Sequence, residues 1–99
     1  MWYMIYSEDI DNSLELRMQT RDKHLARLNE LNQQGRLMAA GPLPAIDSEN
    51  PGDAGFTGSL LIVEFDSLTA AEQWASEDPY IAAGVYKKST VKPFKKVLP

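Results

Sequence analysis

Two stretches of this sequence are apolar at odd and even positions alike. Read as extended chain, residues 2–7 (WYMIYS) place Trp2, Met4 and Tyr6 on one side and Tyr3 and Ile5 on the other. Residues 58–65 (GSLLIVEF) set Leu60 and Ile62 against Leu61, Val63 and Phe65. Successive side chains of a strand point to opposite faces. An antiparallel sheet with one solvated face alternates between apolar and polar positions. A sheet built on these two strands therefore has to be covered on both faces.

The remaining segments supply one cover. Asp9 to Ser13 is a polar turn, and Ser13 suits the N-cap of a helix with Glu15 and Leu16 in its first turn. That helix runs to Gln34, where Gly35 fits the position past a helix end. Arg36 to Leu43 reads as a second strand, and Pro42 places it at an edge or rim because proline donates no ladder bond. Asp47 to Thr57 is turn-forming throughout, and Gly58 to Phe65 is the third strand. Thr69 and Glu72 have capping-box spacing and open a second helix near Ala70 that ends at Glu77. Asp78-Pro79 resembles an N-cap with proline at the first helical position, starting a short turn that closes by Gly84. Val85 to Val97 is a final strand.

The order β-α-β-β-α-β predicts an α+β fold of ferredoxin-like type, a four-stranded antiparallel sheet with two helices on one face. The 99 residues contain no internal repeat or linker and are expected to form one domain, 1–99. The second apolar face is left to a partner. Packing two such sheets face to face predicts a homodimer.

Composition narrows the function. The chain has no cysteine, which excludes disulfides, a thiol nucleophile and cysteine-based zinc or iron–sulfur sites. A net charge of -4 argues against nucleic-acid binding, which needs a basic footprint. The apolar run at the N-terminus is followed at once by Ser7, Glu8 and Asp9 and is too short for a signal peptide or a membrane span. A cytoplasmic protein without a membrane partner is expected. Lys87, Lys88, Lys92, Lys95 and Lys96, with Tyr86 and Phe94 between them, read as an edge strand guarded by lysines rather than a nucleic-acid surface.

Chemistry concentrates on the first helix. At about 100° per residue, Leu14, Met18, Leu25, Leu28 and Leu31 share one stripe, and Arg17, Arg21 and His24 fall inside it. Charge facing a sheet needs a carboxylate, a bound anion or water. One reading is structural: the arginines lie at the stripe's edge and His24, the sole histidine, is a satisfied core residue. The other is a pocket between helix and sheet, with His24 as acid or base and an arginine holding an anion. Asp78 is the best candidate partner for His24, although capping alone accounts for an Asp-Pro pair; Glu77 and Asp66 are weaker candidates. Gly41 allows a ligand to approach the backbone closely, though a turn alone would account for it, and Tyr80 offers a phenolic hydroxyl, though such a tyrosine is more often core or rim. There is no phosphate-binding glycine motif and no serine nucleophile elbow. No cofactor is expected, and a lone histidine makes a dedicated metal site a weak expectation.

With these residues in view, the sequence resembles the YciI-like family over nearly its whole length. The resemblance is carried by Arg21-x-x-His24-Leu25, Ala40-Gly41-Pro42, the loop Pro51-Gly52…Gly55-Phe56-Thr57-Gly58, and Asp78-Pro79-Tyr80 followed by Ala83-Gly84-Val85. It implies a ferredoxin-like fold, a dimeric α/β barrel and a His–Asp site at His24 and Asp78, with Arg21 nearby. Asp22 departs from the family pattern, which often has proline there, and adds a negative charge close to His24. Some relatives are linked to dehydrochlorination, and the wider barrel group includes muconolactone isomerases and cofactor-independent monooxygenases. The leading expectation is proton transfer, as elimination or isomerisation, on a small anionic molecule. His24 and Asp78 would be catalytic, with Arg21, Arg17, Gly41 and Tyr80 binding substrate. The alternatives are a non-catalytic ligand-binding or regulatory module, and haem or metal binding through His24.

Overall fold

The computed structural model describes all residues, 1–99. Four strands, β1 (Trp2–Asp9), β2 (Leu37–Pro44), β3 (Phe56–Glu64) and β4 (Tyr86–Phe94), form one sheet in the order β2-β3-β1-β4. Every neighbouring pair is antiparallel. Helices α1 (Leu14–Gln33) and α2 (Leu68–Ser76) cover one face, and a single-turn helix α3 (Pro79–Ala82) follows α2. The split β-α-β-β-α-β arrangement expected from the pattern is the one observed.

The covered face holds the core. Tyr3 and Ile5 of β1, with Leu61 and Val63 of β3 and Phe65 just beyond it, pack against Leu28 and Leu31 of α1 and Ala71 and Ala75 of α2. Burying each large side chain is worth about 1.5–3 kcal/mol relative to exposure. A second, smaller cluster joins Tyr80 of α3 to Val85 and Tyr86 at the start of β4. The open face carries Trp2, Met4, Tyr6, Leu60 and Ile62, with Tyr6 and Leu60 exposed.

Several local expectations are corrected. β1 extends to Asp9, which is buried at 5% exposure rather than lying in a polar turn. Ser13 makes no side-chain cap: its backbone carbonyl accepts from Arg17 N, while its hydroxyl donates to Asp9 Oδ2 at 2.5 Å. α2 is capped by Ser67, whose Oγ accepts from Ala70 N at 3.0 Å, and begins at Leu68. The capping-box spacing of Thr69 and Glu72 thus pointed two residues too late. β4 stops at Phe94. Met18 is 69% exposed and Arg21 is exposed, so the buried stripe of α1 is narrower than the 100° count implied. Four residues of α1 are buried: Arg17, His24, Leu28 and Leu31. They recur at intervals of seven, four and three residues on one line of the helix.

Candidate functional site

The site begins with an aspartate that has two tasks. Asp78 precedes Pro79, whose ring disfavours helical backbone before it, and accordingly sits at φ -60°, ψ 131° as the N-cap of α3. Its Oδ1 accepts from Tyr80 N at 2.9 Å. The same carboxylate faces α1, where both its oxygens lie 2.9 Å from His24 Nδ1. Capping and histidine pairing are therefore one arrangement. His24 and Asp78 are 6% and 5% exposed, so little water competes for this contact. The Tyr80 ring stacks on the imidazole at 4.1 Å with only 9° between planes, and Tyr86 meets it edge-on at 6.4 Å. The ring is thus held by a carboxylate at one nitrogen and by aromatic packing on its flank. Nε2 makes no hydrogen bond within the protein, and His24 lines a cleft.

That cleft, about 200 Å³, lies between α1 and the β2–β3 side of the sheet. Arg17, Arg21, His24, Gly41, Ser59 and Tyr80 contribute its polar and backbone lining, and Leu25, Leu28 and Leu61 the apolar part. Its volume is below the roughly 300–1,000 Å³ of sites for drug-sized ligands, so it suits a small molecule. Arg21 is exposed and forms no ion pair or hydrogen bond within the chain, so its guanidinium is free at the mouth. Gly41 supplies backbone only: a Cβ there would meet nothing within 4 Å, and its strand partner Leu60 lies on the open face of the sheet.

Arg17 is held differently. Its Nε donates to Asp9 Oδ2 at 2.6 Å, and the two hydrogens of Nη2 are shared among Asp9 Oδ1, the Gly58 carbonyl and Ser59 Oγ, each at 2.9 Å. Burial disfavours the charge, but the hydrogen bond and field of Asp9 outweigh it and raise the guanidinium pKa further. This fork joins α1 to the far end of β1 and the start of β3; Nη1 takes part in none of these bonds. Tyr80 donates its hydroxyl to the Arg17 backbone carbonyl at 3.3 Å, and Tyr86 donates to Ser59 Oγ at 2.9 Å. Burial raises both phenol pKa values.

The expected site residues His24, Asp78, Arg17, Arg21, Gly41 and Tyr80 are thus brought around one cleft, with Asp78 behind the imidazole. Asp66 and Glu77 are exposed and line no part of it. Two members of the assembly, Asp9 and Ser59, escaped the sequence reading. The signal was alternation: Tyr3, Ile5, Ser7 and Asp9 share the covered face of β1, as Ser59, Leu61 and Val63 do on β3. No group of three or more His, Cys, Asp or Glu side chains is placed to hold a metal ion.

A ferredoxin-like domain with a buried His–Asp pair beside a small cleft defines the class of protein. The chain belongs to the YCII-related domain family, which matches residues 1–95. It is 60% identical over 97 residues to Protein YciI of Escherichia coli O6:H1 (strain CFT073), covering 98% of this chain and 99% of that one. It is 57% identical over the same length to an uncharacterised protein of Haemophilus influenzae, with the same coverage. Among solved structures it is similar to the 5-chloro-2-hydroxyhydroquinone dehydrochlorinase of Burkholderia phenoliruptrix AC1100 in complex with 2,5-dihydroxybenzoquinone. That likeness has a TM-score of 0.83 and 29% identity, over 96% of this chain and 94% of the other.

Proposed function

We propose that this protein is a small-molecule enzyme in which His24 transfers a proton on an oxygen-rich, anionic ring compound of the hydroxyquinone or hydroquinone class. The observation that carries this reading is the His24–Asp78 pair: Nδ1 lies 2.9 Å from both carboxylate oxygens, while Nε2 has no protein partner and His24 lines the cleft. A carboxylate at Nδ1 selects the tautomer that carries its hydrogen there and leaves a lone pair at Nε2. In the assigned step, Nε2 removes the proton of a substrate O–H or C–H bond. The electron pair left behind enters the ring's conjugated system. His24 returns that proton to a ring carbon, which completes an isomerisation; where that carbon bears an anionic leaving group, loss of a second O–H proton then expels the anion and leaves a quinone. Asp78 stabilises the imidazolium in between. Such acid–base chemistry needs no cofactor. Arg21, unpaired at the mouth, supplies the charge that holds an anionic oxygen. The structurally similar dehydrochlorinase, which acts on 5-chloro-2-hydroxyhydroquinone and is bound to 2,5-dihydroxybenzoquinone, supports the ring class.

The test is chloride release from 5-chloro-2-hydroxyhydroquinone and related halogenated hydroxylated rings, followed with the unmodified protein and with His24→Ala. Turnover lost in His24→Ala is the expected result. Binding of 2,5-dihydroxybenzoquinone without turnover of any such ring would make the cleft a ligand-binding site instead. We also propose that the working form is a homodimer closed through the open sheet face, supported by its apolar residues Trp2, Met4, Tyr6, Leu60 and Ile62.

A further inference from the structure

Ser59 is the least expected lining residue of the cleft. It sits on the covered face of β3, is 3% exposed, and reaches the cleft with its side chain engaged from two sides. Arg17 Nη2 donates to its Oγ at 2.9 Å, and a guanidinium can only donate. Tyr86 lies at 2.9 Å on another side. The Tyr86 hydroxyl is buried and has no other acceptor, so reversing that bond would strand its hydrogen. Both bonds therefore run toward Ser59 and occupy the two lone pairs of its oxygen. The serine's own hydrogen is left over, and no protein group accepts it.

We infer that Ser59 is a substrate-positioning residue, an obligate hydrogen-bond donor to an acceptor oxygen of the bound molecule. This rests on the proposed ring-binding role of the cleft and narrows it. The ligand must present a carbonyl or deprotonated oxygen, not a hydroxyl hydrogen, toward β3 while another oxygen meets Arg21. A molecule with oxygens on two sides of one ring meets both demands. Burial holds the Tyr86 phenol in its protonated, donating form across the neutral range, so the polarity of the chain Tyr86 to Ser59 to ligand is maintained.

The probe is 2,5-dihydroxybenzoquinone, with binding measured by calorimetry on the full chain. Ser59→Ala alone would orphan the Tyr86 hydroxyl, so the comparison uses Tyr86→Phe as its reference. Tyr86→Phe keeps the serine hydrogen, and the double variant Tyr86→Phe/Ser59→Ala removes it without leaving a buried phenol unpaired. The expected result is a Kd higher in the double variant than in Tyr86→Phe by about tenfold to a hundredfold, the range for a hydrogen bond to a charged acceptor. Tyr86→Phe/Ser59→Thr, which restores a hydroxyl, should recover most of that loss. A purely structural serine would not show this recovery together with unchanged melting temperatures across the three variants. Equal affinity in the reference and the double variant overturns the assignment of Ser59 while leaving the cleft as a ring-binding site. Failure of the unmodified protein to bind the probe overturns both.

Discussion

At the scale of single residues, the buried fork between Asp9 and Arg17 and the pair between His24 and Asp78 call for different tests. Asp9 and Arg17 are 5% and 6% exposed. Removing one member of such a pair leaves an uncompensated charge in the interior, which costs about 3–5 kcal/mol. Asp9→Ala is expected to lower the unfolding free energy measured in urea by that amount, and a change below about 1 kcal/mol would mean that Arg17 finds another partner or that water enters. Asp78→Asn keeps an acceptor for Tyr80 N and changes what faces Nδ1. Nitrogen-15 spectra of the single imidazole should show its tautomer redistributing, and an unaltered tautomer would remove Asp78 from the orienting role. Arg21→Ala removes a side chain with no partner in the chain; unfolding should be unchanged while binding of small dicarboxylates weakens. The tyrosines add a pH dependence. Burial raises the pKa of Tyr80 and Tyr86 above the usual 10.0. A folded value above the unfolded one means that the folded state keeps the proton more tightly. That contribution to stability is fully present below about pH 10 and is lost as pH rises through the folded values. Tyr86→Phe should flatten the alkaline decline seen in unfolding curves taken on either side of pH 10.

Among the elements, the loop before β3 is the most constrained. Gly55 has φ 70°, which favours glycine, and a Cβ there would press on Leu14 Cβ at 3.2 Å at the start of α1. At Gly58 the obstacle is steric: a Cβ would collide with the backbone carbonyl of Ser7 on β1. Gly58→Ala should therefore disturb the β1–β3 register next to Ser59 and destabilise more than the few tenths of a kcal/mol typical of surface changes. Gly41→Ala, with open space around it, should not. Their relative unfolding free energies check the difference. The elements also show how much could be read beforehand. Element order and the Asp78-Pro79 cap follow from local pattern and survive intact. Ends do not, because they depend on what packs against them. β1 continues to Asp9 because Arg17 is there to receive the carboxylate. Ser13 forgoes its side-chain cap because the same carboxylate takes its hydroxyl.

For the whole molecule, the open sheet face makes the sharpest prediction. In a face-to-face dimer, Ile62→Asp would bury charge at an apolar contact and shift the protein toward monomer. Light scattering over a dilution series measures this, and an unmodified protein that is monomeric at micromolar concentration would remove the dimer. On the covered side, one aspartate, one histidine and a tyrosine stack come from α1, α3 and the segment between α2 and α3, so no single segment carries the site. No helix is long and apolar enough to cross a membrane.

The sequence alone determined the β-α-β-β-α-β order, the two-sided apolar strands and the candidates His24, Asp78, Arg17, Arg21, Gly41 and Tyr80, though not Asp9 or Ser59, because periodicity, capping and turn chemistry are local properties. The resemblance named His24 and Asp78 as partners, but spacing along the chain could not bring together residues separated by 54 positions. Only the tertiary structure decided that meeting. It also decided that Arg17 faces Asp9 while Arg21 remains free, and that Ser59 accepts hydrogen bonds from Arg17 and Tyr86. The physical reason is that a buried polar group is defined by its partners, and those partners are set by how the helices lie across the sheet.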